Sequence, residues 1–180
     1  TWGEVKIDLN DKTITGDKAD DNNEAKPGLE FVKDANSNEH PGTNLEIVNG
    51  TIKGGDGSAK HPDGAAGIGA SGDTADAGII IGSNANVTGG NGGKGGDSVA
   101  GIPGNGGNGG TGISAGDKTI TVKPGGTVKG GDAGNGGSAT GDNTNPGGNG
   151  GNGGTGTETT QPGKTDNNGG TTSGGNGGDG

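Results

Sequence analysis

From Gly89 to Gly112 the chain reads GGNGGKGGDSVAGIPGNGGNGGTG, an ordered stretch with almost nothing to bury. Gly-Gly-X triplets run to Asp97, a non-repetitive piece follows, and triplets resume at Gly104. The octapeptide NGGNGGTG occurs from Asn105 and again from Asn149, 44 residues later. The 180 residues include 51 glycines, one Trp, one Phe and no Cys, and only 21% are hydrophobic. Such a chain cannot build a conventional two-layer core, and composition alone points to disorder, because so little apolar surface cannot offset the ordering entropy. Order, if present, must come from backbone hydrogen bonds, repetition and many small contacts.

The polyproline-II helix has three residues per turn and no internal hydrogen bonds. In Gly-Gly-X every X therefore lies on one edge, while the other two edges are bare glycine and let neighbouring backbones approach and satisfy one another. The X rows are Asn91, Lys94 and Asp97; Asn105, Asn108 and Thr111; Asp132, Asn135 and Ser138; and Asn149, Asn152 and Thr155. Each pair of runs is separated by a turn, SVAGIP or ATGDNTNP, so the runs read as out-and-back pairs. Val99 and Ile102 are expected to tuck under the first of these turns. HPDGAAGIGASG from His61, with Ile68, reads as a shorter version. The candidate binding residues are Asn91, Asn105, Asn108, Thr111, Asn135, Asn149, Asn152 and Thr155. Collagen is the obvious rival, but seven prolines, interrupted triplets and doubled glycines do not suit a long triple helix.

Four other segments share one grammar: VKIDLNDKTITGD from Val5, LEIVNGTIKGGD from Leu45, IIIGSNANVTGGN from Ile79 and ITVKPGGTVKGGD from Ile120. Apolar residues alternate, as in a half-buried strand; a turn of Asn, Asp, Gly or Pro follows, then one more β-branched residue. Those final residues are Ile14, Ile52, Val87 and Val128, separated by 38, 35 and 41 residues. Val5, Ile7 and Leu9 share a face, as do Leu45 and Ile47, Ile79 and Ile81, and Ile120 and Val122. No helical period is present. The pattern predicts an all-β repeat without α-helix: a β-solenoid of short strands with stacked polyproline-II or polyglycine-II segments. The repeat spans residues 1–156, with coils near 5–44, 45–78, 79–119 and 120–156. Separate hairpins on a disordered string are the alternative, and hairpins this short are marginal in water.

TETTQPGKTD from Thr157 resembles TITVKPGGTV from Thr119, 38 residues earlier. In that alignment Glu158 replaces Ile120, Thr160 replaces Val122 and Asp166 replaces Val128. Residues 157–180 are therefore expected to form a degenerate polar capping coil, or else a Thr-rich linker.

VKIDLNDKTITG and LEIVNGTIKGG resemble early coils of the parallel β-helix family of pectate lyases and many bacterial adhesins. The Gly-Gly-X pairs resemble the polyglycine-II bundles of springtail antifreeze proteins and of phage tail-fibre tips, and are similar to glycine-rich repeats of mycobacterial surface proteins. The resemblance covers most of the chain and rests on low-complexity motifs. It implies a glycine-rich surface or adhesin protein.

Little else points to chemistry. All 12 basic residues are Lys, the formal charge is −10, and aromatics are 1%, which argues against nucleic-acid binding and membrane insertion. Pectate-lyase chemistry needs an Arg base that this chain lacks. His40 and His61 each precede Pro and read as exposed loop residues; no His pair has metal spacing, so no zinc site is expected. Opposed carboxylates of a glycosidase cannot be picked from sequence. DKADDNNE from Asp17 offers oxygen ligands that suit calcium, yet a solvated acidic loop is the expected reading, and no cofactor or metal is assigned. Asn49 and Asn86 sit in N-x-Thr sequons. The expected function is a non-enzymatic, secreted or cell-surface module of a bacterial protein or fibre, binding glycans or its own copies and able to stack into filaments. The alternatives are ice binding, suggested by Thr13–Thr15 and Thr119–Thr121, and a polysaccharide-processing β-helix.

Overall fold

The computed structural model describes residues 4–32, 44–71, 78–159 and 165–180. Among the described residues the protein is all-β, with twelve strands, no helix, and only parallel pairings. In chain order the strands are β1 (Glu4–Thr15), β2 (Leu29–Val32), β3 (Asn44–Lys53), β4 (Ile68–Ser71), β5 (Gly78–Ile81), β6 (Ala85–Thr88), β7 (Ile113–Ser114), β8 (Thr119–Val122), β9 (Thr127–Lys129), β10 (Thr157–Glu158), β11 (Thr165–Asp166) and β12 (Thr171–Ser173).

β3 organises the larger sheet. One edge pairs with β1; the other carries two ladders, β5–β8–β11 on its first half and β6–β9–β12 on its second. The registers follow the alternation of apolar residues. Leu45, Ile79 and Ile120 form one column, Ile47, Ile81 and Val122 a second, and Ile52, Val87 and Val128 a third. These side chains are buried in one cluster. The alternate positions, such as Glu46 and Thr51, face outward, because successive strand residues point to opposite faces.

A second sheet, β2–β4–β7–β10, forms a further wall of the same core through Leu29, Ile68 and Ile113. Sequence reasoning missed this ladder and read Ile68 as part of a glycine run. The strands are too short, and too rich in Gly, Ala and Ser, for alternation to show. Val99 and Ile102 correct another expectation: they do not tuck under the turn but stand 72% and 81% exposed. The neighbouring turn is instead held by polar contacts, with Asn143 Nδ2 donating to the carbonyls of Ser98 and Gly101 at 2.9 and 2.7 Å.

The bend between the two ladders repeats in every coil. Asn49 (φ 53°), Asn84 (φ 56°), Gly125 (φ 81°) and Gly169 (φ 78°) all take the left-handed conformation there. Asn is among the few residues with a Cβ that visit that region routinely. Asn49 N–H donates to Ser83 O and Asn84 N–H to Gly125 O, so the corners are bonded to one another as the strands are. Asn49 Nδ2 also donates to Asp8 at 3.2 Å. In β1 the register shifts between Asp8 and Lys12, where Asn10 and Asp11 add a bulge.

The polar last segment pairs differently from its sequence alignment. Ile120 pairs with Thr165, not Glu158; Val128 pairs with Thr172, not Asp166; Glu158 stands beside Ser114. The 38-residue match fails because the glycine runs lengthen the preceding coil, and the true offset is 44 or 45 residues. Thr160 lies outside the described residues.

Candidate functional site: the glycine layers

After β1, β3, β6, β9 and β12 the chain leaves the core in extended runs, 16–20, 54–58, 89–97, 130–138 and 174–180, which lie side by side. Runs 61–67, 104–112 and 147–156 return between them. The three N–H positions of a Gly-Gly-X triplet have three recurring destinations. The first glycine donates to the X carbonyl of the next coil: Gly89 to Lys129, Gly92 to Asp132 and Gly95 to Asn135 in the outgoing layer, Gly106 to Asn149 and Gly109 to Asn152 in the returning one. The second donates to a carbonyl in the opposite layer: Gly107 to Gly93, Gly134 to Gly107 and Gly151 to Gly134, all between 2.8 and 3.0 Å.

The X residue's own N–H goes to a side chain. Asp132 N–H donates to Asn91 Oδ1 at 3.0 Å, Asn149 N–H to Asn105 Oδ1 at 3.0 Å, Asn152 N–H to Asn108 Oδ1 at 3.0 Å and Asp179 N–H to Asn135 Oδ1 at 3.1 Å. Asp56, Asp63 and Asp97 accept from Asn91, Asn108 and Ser138 in the same way. Only Asn and Asp have an oxygen at the right reach. Asn135 N–H, whose predecessor in the X row is Lys94, has no such bond among the described residues. The preference for Asn and Asp at X thus has a structural cause that requires no ligand.

The eight candidate binding residues fall on two layers. Asn91 and Asn135 belong to outgoing runs. Asn105, Asn108, Thr111, Asn149, Asn152 and Thr155 belong to returning runs, where they stack pairwise 44 residues apart; Thr155 Oγ1 and Thr111 Oγ1 are 3.5 Å apart. Thr111 Oγ1 also donates to Glu158 Oε2 at 3.3 Å.

The acids of the outgoing layer carry paired lysines, Lys94–Asp97 at 2.9 Å and Lys129–Asp132 at 3.2 Å. Asp97 is held below the ordinary carboxylate value first by the Ser138 N–H and then by Lys94; Asp132 likewise by the Asn176 N–H and then Lys129. On the sheet, Glu46 sits between Lys123 at 2.8 Å and Lys6 at 3.5 Å. Lys123 lowers the Glu46 pKa, and Glu46 raises that of Lys123.

His61 lines a small open cleft of about 230 Å³ with Glu24 and Asp63; His40 lies outside the described residues. In the Asp17–Glu24 stretch, Asp20 accepts from the N–H groups of Asn22 and Asn23 at 2.7 and 2.8 Å. Among the described residues no three acidic or His side chains converge as metal ligands. Lys118 escaped sequence reasoning. It is 2% exposed, with its Nζ 3.9 Å from Asp117, although AGDKT reads as an ordinary surface turn. Compared with known proteins, the chain matches no family model, no curated protein and no solved structure.

Two outcomes follow. A Cβ on Gly131 would collide with the Gly90 carbonyl oxygen, whereas a Cβ on Gly96 meets nothing within 4 Å. Gly131→Ala should lower stability by about 1–3 kcal/mol in urea melts, since neither backbone can yield; Gly96→Ala should be neutral or slightly stabilising through the unfolded chain. The second outcome concerns pH. The folded-state pKa values of Asp97, Asp132 and Glu46 are depressed. Their contribution is present above the unfolded carboxylate range, near pH 4, and is lost as pH falls through the lower folded values. Asp132→Asn keeps the acceptor oxygen, so melts from pH 7 to pH 2 should show near wild-type stability at pH 7 and a shallower acid limb.

Proposed function

We propose that the protein is a non-enzymatic structural and adhesive module of a secreted or cell-surface bacterial protein or fibre, built as a β-solenoid whose coils extend into a polyglycine-II bundle. The observation that carries this reading is the recurring destination of most N–H groups in the triplets, which gives the runs a reason to be ordered without a core. The same three bonds recur at Gly89, Gly90 and Asn91 and at Gly130, Gly131 and Asp132, so length can be added by repetition, as a stalk requires. Residues 157–180 act as a polar coil, with Thr165 and Thr172 where the preceding coil places Ile120 and Val128. The Asn amide nitrogens along the X rows are the groups offered to glycans or to another copy. Order should fall from the core outward, because the runs are anchored by the buried columns and joined at their tips only by turns. Hydrogen exchange should show slow amides at Gly89, Gly110 and Gly131 and progressively faster ones toward Gly101, with one cooperative thermal transition. Uniformly fast exchange in the runs would sink the bundle and leave a linker.

Ice binding keeps a place as a second reading because of the sheet, not the glycine layers. Thr13, Thr51, Asn86, Thr127 and Thr171 form one outward column across β1, β3, β6, β9 and β12, with neighbours about 4.8 Å apart. Lys53 and Lys129 interrupt the adjacent column. Thermal hysteresis with faceted ice crystals would support this reading, and unshaped crystals would end it.

A further inference from the structure

One wall of the solenoid repeats every two coils. Where each strand of the β3–β6–β9–β12 ladder enters its glycine run, the chain reads TIKGGD from Thr51, NVTGGN from Asn86, TVKGGD from Thr127 and TTSGGN from Thr171. Ile52, Val87 and Val128 point into the core, so the residues on either side of them face outward. The third residues form the column Lys53, Thr88, Lys129 and Ser173. The sixth form the column Asp56, Asn91, Asp132 and Asn176, each bonded to the next. Lys53 reaches Asp56 at 3.0 Å and Lys129 reaches Asp132 at 3.2 Å, so both columns lie on the same face. The intervening coil has Thr88 and Asn91 at those places and carries its own pair, Lys94–Asp97 at 2.9 Å, two triplets further out. The ion pairs are therefore staggered from coil to coil.

Repulsion accounts for part of this pattern. Adjacent coils lie about 4.8 Å apart, and like charges directly opposite one another are destabilising. A wall of Thr and Asn in every coil would avoid that equally well. The return of the same partly exposed ion pair to the same place after two coils, about 9.6 Å, is a period that the fold does not require.

We propose that this wall binds an uncharged, linear β-1,4-linked glycan laid along the coil axis, one sugar to a coil. The proposal rests on the adhesive reading above and names its ligand class and its face. A β-1,4 linkage turns each pyranose over relative to the last, so the chain presents the same edge to a flat surface at every second sugar. Each sugar advances by nearly the spacing of one coil. An α-1,4 chain winds and a β-1,3 chain curves, and neither keeps that period along a straight wall. Charge selects in the same direction. Each lysine is cancelled by its own aspartate, so the wall is neutral pair by pair and complements an uncharged chain, while the formal charge of −10 opposes a polyanion. Sugar hydroxyls can donate to the Asp carboxylates and accept from the Lys ammonium groups in charge-assisted bonds. Thr88 and Asn91 meet the inverted sugar with neutral donors and acceptors. The return layer has no such alternation: Asn105 and Asn108 stand beside Asn149 and Asn152, the same at each step.

The test is a nuclear magnetic resonance titration of the 15N-labelled chain at millimolar saccharide. The probes are cellohexaose and chitohexaose, both uncharged β-1,4 hexamers, and laminarihexaose, a β-1,3 hexamer. At least one β-1,4 hexamer should shift the side-chain amides of Asn86 and Asn91 and the backbone amides of Lys53 and Lys129, and laminarihexaose should not. A variant carrying Lys53→Thr, Asp56→Asn, Lys129→Thr and Asp132→Asn makes the coils alike and keeps both side-chain oxygens that hold a neighbouring N–H. It should bind the hexamer about tenfold or more weakly, since hydrogen bonds to charged groups are lost; a role confined to keeping like charges apart predicts no loss. The comparison of linkages uses the unaltered chain and stands whether or not the variant folds. Absence of shifts with both β-1,4 hexamers, equal binding of the β-1,3 hexamer, shifts confined to Asn105 and Asn108, or undiminished affinity of the folded variant each overturns the proposal. The adhesive reading fails separately, when the chain binds no saccharide and does not associate with its own copies.

Discussion

The contact on which the fold depends is the approach of one backbone to another with no Cβ between them. At Gly90, Gly107 and Gly131 a methyl group would strike a carbonyl oxygen of the adjoining run. The same closeness brings the N–H groups of Gly107 and Gly134 within 2.9 and 2.8 Å of an oxygen in the opposite layer. Glycine is ordinarily the residue that loses most entropy on ordering. Here, at the positions backed by another run, it is the residue that permits the bonds that order it.

The magnitudes show why the layers need the small core. Fixing three residues costs about 3–6 kcal/mol of backbone entropy. Three hydrogen bonds return about 1.5–4.5 kcal/mol net. A triplet alone therefore sits near or below balance, and weak Cα–H···O and dispersion contacts must supply the rest. The buried columns of Ile and Val offset this deficit where each run begins. They fix the coil spacing, which sets the distance between runs. The core in turn is too thin to stand without the hydrogen-bonded ladders on either side. Neither part is expected to fold alone.

This interdependence explains what the sequence disclosed. Where a residue type has one physical role, it was readable: the alternation from Leu45, Ile79 and Ile120 carried the registers, and the triplet phase carried the row from Asn105 to Asn149. Where a role was shared, it was not. Ile68 and Ile113 build a wall with only Gly, Ala and Ser around them, a pattern that also belongs to loops. The X residues looked like an exposed recognition surface because they are polar and regular, yet Asn91, Asn105, Asn108 and Asn135 each use an oxygen to hold the next coil's backbone. Lys118 gave no signal, since burial of a turn lysine depends on neighbours distant in sequence.

The distribution of glycine along the chain follows from the same geometry. The second position of a triplet must be glycine only when a preceding run lies behind it. Among the described residues run 16–20 has none behind it and accepts Asp17; the short return from it, residues 25–28, carries Lys26. The second return run contains Pro62 and Ala65, and among the described residues its bond to the first is confined to the base, where Leu29 N–H donates to Gly67. From Gly89 onward each run is backed by another, and both positions are glycine except at Ala133, a first position. The rise in glycine along the described residues thus follows how many neighbours each run has.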